Sequence, residues 1–153
     1  VRSLLASEAS ERAVALSALQ ALLQESAASS SASLPRHVRY LVPEVAPLLL
    51  RSNTDGDGEK CSGIKVLLLA CTLSPGDSPG EGLLLSCLSI TLPLLVGCMS
   101  IIADGKPSTL QKELSNLAHA SFTALAKRAP NEFRAAVGAF SADTRSRMES
   151  ALR

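Results

Sequence analysis

Residues 83–103, LLLSCLSITLPLLVGCMSIIA, lie in a stretch with no charged side chain between Glu81 and Asp104. A helix that is apolar on nearly all sides has to be buried, either in protein or in lipid. Which of the two applies constrains the whole chain. The run is long enough to reach across a bilayer, for which roughly 20 apolar residues suffice. Three features point to burial in protein instead. Ser86, Ser89, Pro93, Gly97 and Ser100 recur every three or four residues and form one helical stripe of small or weakly polar side chains, against which a neighbouring helix can close up. The interfacial anchors of a membrane span are lacking, since there is no Trp and Tyr40 is the only Tyr. Glu81 and Asp104 flank the run where Lys or Arg would be usual on one side. Small-residue stripes also serve helix packing in lipid, so a membrane-embedded helical fragment centred on 83–103 stands as the alternative. Pro93 removes a backbone donor in mid-run and predicts a bend there.

The remaining sequence reads as helix, loop, helix, repeatedly, with no convincing strand. Residues 1–25 hold Ala, Leu, Glu and Gln without Gly or Pro, and Leu5, Ala9, Leu16 and Leu23 can share a face. Loops are expected at 26–34 (SAASSSASL), 52–59 (SNTDGDGE) and 74–82 (SPGDSPGEG). In Arg36–Arg51, Val38, Leu41, Val42, Val45, Leu48 and Leu49 keep helical spacing, while Pro43 and Pro47 speak against a straight helix. Ile64, Leu67, Leu68 and Cys71 form the stripe of a short helix over 60–73; read as a strand, KVLLLAC would have no partner in this chain. Ser108 with Gln111 makes a capping box. It opens an amphipathic helix with Leu110, Leu114, Leu117, Ser121 and Leu125 on one face, beside Ala118 and Phe122. Lys112, Asn116, His119, Thr123 and Lys127 take the other face, and Pro130 ends the helix. Two short closing helices follow, 131–139 and 144–152, with Phe133, Val137, Phe140, Met148 and Leu152 as their apolar side and Ser141 as a cap near Asp143.

Composition narrows the partners. Charged residues make up 19% of the chain, below the usual quarter, so much surface is expected to be covered. Aromatics are 3%, which leaves a core of Leu, Ala, Val and Ile and few platforms on which nucleic-acid bases could stack. A formal net charge of +1 argues against phosphate-backbone binding, and no nucleic-acid partner is expected. Arg128, Arg134, Arg145, Arg147 and Arg153 gather towards the C-terminal end, interleaved with Glu132, Asp143 and Glu149 as on a solvated helix face. Cys61, Cys71, Cys87 and Cys98 form no C-x-x-C pair and sit among apolar residues, the setting of reduced, core-filling thiols.

Two segments fifty positions apart share a feature: Leu41-Val42-Pro43 before Leu48-Leu49-Leu50, and Thr91-Leu92-Pro93 before residues 96–99. Each is a Pro-bent apolar helix followed by a loop and a second helix. The bent helices RYLVPEVAPLLL and LSITLPLLVGCM, with the partner helices SERAVALSALQALLQ and LQKELSNLAHASFTALAKRAP, make the chain resemble the HEAT-repeat family, whose units span about 40–47 residues. The ending, PNEFRAAVGAFSADTRSRMESALR, is similar to the C-terminal ends of the large HEAT scaffolds that assist clathrin adaptors in endosome-to-Golgi traffic. The resemblance implies an all-α fold of stacked antiparallel helix pairs, a HEAT/armadillo-like α-solenoid fragment closed by a capping helix pair. Residues 1–153 would then be a single helical-repeat domain, the C-terminal part of a longer protein. The implied role is non-catalytic binding of coat or adaptor accessory proteins, in the cytoplasm and peripherally at endosomal or Golgi membranes.

The residues themselves offer little chemistry. Asn53, Asp55, Asp57 and Gly58 imitate the start of a calcium loop, but Lys60 and Ile64 occupy later positions that such a loop needs otherwise, and a solvated turn is the better reading. Ser62 and Lys65 match S-x-x-K, the spacing at which a Lys amine can activate a Ser, with no companion motif; a Ser–Lys hydrolase is a distant third reading. His37 and His119, the only histidines, have no Cys or carboxylate at ligand spacing. Ser74-Pro75 and Ser78-Pro79 match proline-directed phosphorylation sites, a dipeptide common in loops. No cofactor, metal or catalytic residue is expected, and the surface that binds partner proteins is left open.

Overall fold

A computed structural model describes residues 9–28, 41–47, 57–73, 82–100 and 107–152. Seven helices account for nearly all of them, and no strand occurs among the described residues. They are α1 (Ala9–Ala28), α2 (41–47), α3 (Asp57–Leu73), α4 (Leu83–Met99), α5 (Thr109–Arg128), α6 (Pro130–Gly138) and α7 (Ala142–Ala151).

The helices stack in two rows. α1 packs on α3 and α3 on α5, while α4 packs on α6, so in each row a helix lies beside the one two places along the chain, and α7 packs on α4. Neighbours within the first row run parallel. Arg12, near the start of α1, meets Glu59, near the start of α3. Arg128, at the end of α5, donates to the carbonyl of Thr72 at the end of α3. Across the rows, α4 and α5 form an antiparallel pair: the Ser115 hydroxyl, early in α5, reaches the carbonyl of Met99 at the end of α4 at 3.4 Å. This is a helical-repeat solenoid of stacked antiparallel pairs, each unit held chiefly by its neighbours.

Local chemistry sets the ends. Gly82 precedes α4 in the left-handed region (φ 48°), which a residue without Cβ adopts cheaply. Ser108 accepts from the Gln111 amide nitrogen at 3.1 Å while Gln111 Oε1 accepts from the Ser108 N–H at 3.0 Å, the capping box expected for α5. Pro130 does more than end α5. It is the first residue of α6, with Ala129 alone between the two helices. Ser141 caps α7 through the Thr144 N–H at 3.2 Å.

Several expected boundaries move. α1 continues through Ser26, Ala27 and Ala28, past the expected end at Glu25, because Ala propagates a helix as well as any residue. Asp57, Gly58 and Glu59 belong to α3 and not to the expected loop. α7 starts at Ala142, directly after its cap. The expected helix before Ala9, most of the expected loops at 26–34, 52–59 and 74–82, and the end of the central run beyond Ser100 lie outside the described residues.

One core runs through the stack. Leu16 and Leu23 of α1, Val42 and Val45 of α2, Ile64 and Leu67 of α3, Leu88 and Leu92 of α4, and Leu114 and Leu125 of α5 are all buried in it. Fully burying such a side chain is worth about 1.5–3 kcal/mol. α6 and α7 close the end: Phe133 of α6 meets Phe122 of α5 edge to face, centroids 5.0 Å apart, and α7 buries no residue fully. Leu152, expected on the apolar side of that cap, is exposed, as α7 lies along the outside of α4. Leu110 is exposed too, one turn before Leu114, the first apolar residue of α5 to be buried.

The expectation of burial in protein holds for the central run. α4 touches α3, α5, α6 and α7, and eleven of its residues are buried. Its 17 residues rise about 25 Å, short of the roughly 30 Å of a bilayer core. No helix among the described residues is long and apolar enough to cross a membrane, which removes the reading of 83–103 as a membrane-embedded fragment for the part described.

Candidate interaction surface

The small-residue stripe of α4 faces the other way from what its spacing suggests. Ser86 and Ser89 are exposed, and Pro93, Gly97 and Ser100 are half-buried. A Cβ built on Gly97 would meet nothing within 4 Å. The packing on the opposite side is done by Leu84, Leu88, Leu92 and Leu95. The serines can face outward because each satisfies its own hydroxyl. Ser86, Ser89 and Ser100 donate to the carbonyls of Gly82, Leu85 and Val96, four residues back, at 2.8–2.9 Å.

Leu85 and Ile90, each 37% exposed, stand beside this stripe. The result is an outward patch without charge over the first two turns of α4, its hydroxyls already bonded internally. Such a face loses little hydration when another molecule covers it, since its polar groups need no new partner. Other apolar side chains left outside are Val14 and Leu22 on α1.

Candidate reactive residues do not converge. Asp57 and Gly58 open α3, and Ile64 is wholly buried in the core, so a continuous helix runs where a calcium loop would have to curl. Asn53 and Asp55 lie outside the described residues, as do His37, Ser74 and Ser78. Among the described residues no three of His, Cys, Asp and Glu gather as a metal site would require. Ser62 is half-buried on α3 and Lys65 is exposed on the same helix. His119 is half-buried on α5. Cys71, Cys87 and Cys98 are buried and Cys61 half-buried, all as thiols, in line with core-filling roles.

Charged residues that look like solvated surface turn out to tie helices together. Arg12 donates from Nε and Nη2 to the two carboxylate oxygens of Glu59, both at 2.9 Å, with each side chain about nine-tenths covered. Arg128 serves the last turn of α3, and Arg145 donates to the carbonyls of Phe140 (3.1 Å) and Gly138 (3.4 Å) where α6 ends. Guanidinium groups suit this work because they present several donors in a fixed plane. A basic residue near a helix C-terminus was the signal for Arg128; nothing in the sequence pairs Arg12 with Glu59.

The family described as LAA1-like, C-terminal TPR repeats matches residues 2–153. The chain belongs to that family. Its members are helical-repeat proteins, in agreement with the two-row stack, and a repeat scaffold of this kind points to protein partners. No curated protein and no solved structure matches the chain.

Proposed function

We propose that this LAA1-like chain is a non-catalytic docking scaffold of HEAT-like repeats in intracellular membrane traffic. It would hold accessory proteins of clathrin adaptors or coats, in the cytoplasm and peripherally at endosomal or Golgi membranes. The observation that carries the scaffold reading is the outward patch of α4, where Leu85, Ser86, Ser89 and Ile90 are exposed without a charge among them on an otherwise well-packed stack. Repeat length supports the HEAT-like type. Arg12 of α1 and Glu59 of α3, side by side in the first row, are 47 residues apart, nearer the roughly 40–47 of HEAT and armadillo units than the 34 of TPR units. The traffic assignment rests on the likeness of residues 130–153 to the ends of adaptor-assisting HEAT scaffolds.

The test is cross-linking of the protein in cells, followed by identification of the peptides joined to it. Coat or adaptor accessory proteins are expected on peptides from 83–100. They should be lost in a Leu85→Arg/Ile90→Arg variant whose melting temperature is unchanged. A partner set without such proteins would defeat the traffic assignment, and an unchanged set in the variant would defeat the assignment of the α4 face.

A further inference from the structure

α7 is the least enclosed of the described helices. None of its residues is fully buried, and Met148 and Ala151 are the apolar side chains through which it leans on the core. Its 10 residues fall short of the roughly 12–15 at which a helix is even marginal alone in water. α7 therefore depends on its seat along α4 and on the Ser141 cap, and lifting from α4 goes together with unwinding.

α7 carries Arg145-Ser146-Arg147-Met148-Glu149-Ser150, followed by Ala151 and Leu152, so that two arginines stand three and five residues before a serine. Arg145, Arg147 and Ser150 are all exposed. The side chains of Arg147 and Ser150 have no hydrogen bond or ion pair among the described residues. Ser86 and Ser89, also exposed, differ in both respects: their hydroxyls are bonded to the preceding turn, and their helix is anchored in the core. Arg145 holds only the carbonyls of Gly138 and Phe140, bonds that end when α7 lifts.

From this we infer that Ser150 is a phosphorylation site for an arginine-directed protein kinase, which takes this segment in extended form once α7 lifts from α4. Extended, residues 145–152 set both guanidinium groups against carboxylates of the kinase groove, which their planar forks fit, and bring the Ser150 hydroxyl to the transferred phosphate. The Ser150 oxygen attacks the γ-phosphorus of ATP, the bond from that phosphorus to the β,γ-bridging oxygen breaks, ADP leaves, and the hydroxyl proton passes to the kinase's catalytic carboxylate. Ser146 on the same helix does not qualify. It has Asp143 three residues before it and Ser141 five before it, so a carboxylate would meet a carboxylate. The product carries a charge of about −1.5 to −2 at pH 7 on a helix whose Asp143, Arg145, Arg147 and Glu149 otherwise balance, and this outer wall turns anionic.

Kinase assays on the full polypeptide test the inference. The protein is purified from cells, stripped with a phosphatase, and given magnesium, ATP and a purified kinase that selects arginine at those two positions. Mass spectrometry then locates the phosphate. It is expected on Ser150 and not on Ser146, and Ser150→Ala should abolish it. Arg147→Ala should slow its appearance at least about tenfold, through loss of a charge-assisted pair, at an unchanged melting temperature, because Arg147 makes no side-chain bond in the fold. Ser141→Ala lies outside the recognised segment and removes the α7 cap; it should speed modification about fivefold as the lifted population grows. Phosphate absent from Ser150, equal on Ser146, or gained at an undiminished rate by Arg147→Ala would overturn the site. A Ser141→Ala rate equal to the native one would overturn the lifting of α7.

Discussion

Cys71 of α3 and Thr91 of α4 meet in the core, with Sγ and Oγ1 3.7 Å apart. Both residues are almost fully enclosed. Burial pushes the Cys71 thiol up to about 12, and the hydrogen bond from Thr91 offsets this only in part. In the folded chain the thiol therefore holds its proton across a range where the unfolded chain has lost it. Stability contributed by this site is level below about pH 9, the ordinary thiol value, and falls as pH rises towards 12. Denaturant unfolding measured across that window should show a steeper decline for the native chain than for Cys71→Ala. Equal slopes would contradict the buried thiol.

Two positions one turn apart on the same side of α4 mark where its exposed patch ends. Leu94 is buried, so Leu94→Asp puts an unpaired charge in the core and should cost several kcal/mol, on the order of 4 or more. Ile90 lies on the outward stripe, and Ile90→Asp should stay within about 1 kcal/mol. Thermal unfolding of the pair decides whether the exposed patch stops between them. Equal losses would mean that the stripe is covered.

These two positions also show what the sequence carries and what it leaves open. The lack of charge from Leu83 onward makes burial of α4 compulsory, whatever surrounds it. Periodicity then says which residues share a face, since Leu88, Leu92 and Leu95 recur at helical spacing, but it does not say which face turns inward. Both sides of α4 are uncharged, and the small side looks as good a packing surface as the large one. The packing of the neighbouring helices settles it, leaving Ser86 and Ser89 exposed and Leu88, Leu92 and Leu95 enclosed, and that is a property of geometry and not of spacing. In α5, where Lys112, Asn116 and Lys127 mark the solvent side, the buried face is legible directly. Pairings distant in the chain, Arg12 with Glu59 and Arg128 with Thr72, depend on which helices lie side by side, and no local pattern encodes that.

Ser121 is buried on the inner face of α5, and its hydroxyl has no hydrogen-bond partner among the described residues. A hydroxyl removed from water without a replacement bond costs about 1–3 kcal/mol. Ser121→Ala removes the group, leaves a cavity of at most one oxygen, and inserts a better helix former. The variant should be more stable by about 1 kcal/mol, seen as a higher urea midpoint with an unchanged slope. Ser115→Ala is the comparison, because Ser115 does reach the Met99 carbonyl and its loss should bring no gain. A destabilised Ser121→Ala would imply an acceptor for that hydroxyl.

The capping box of α5 bears on the whole stack, since α5 touches α3 in its own row and α4 and α6 across it. Ser108→Ala leaves the Gln111 N–H without its acceptor and should cost about 1 kcal/mol. Ser108→Asp keeps an acceptor at the same place, adds a charge favourable at a helix N-terminus, and should retain most of the stability. Gln111→Ala removes only the reciprocal bond to the Ser108 N–H and should cost less than Ser108→Ala. Because these residues are exposed or half-buried, packing changes little in any of the three. The order native, Ser108→Asp, Gln111→Ala, Ser108→Ala in thermal midpoint is therefore a reading of the cap itself, and a Ser108→Ala variant as stable as the native chain would show that α5 is held by its packed face alone.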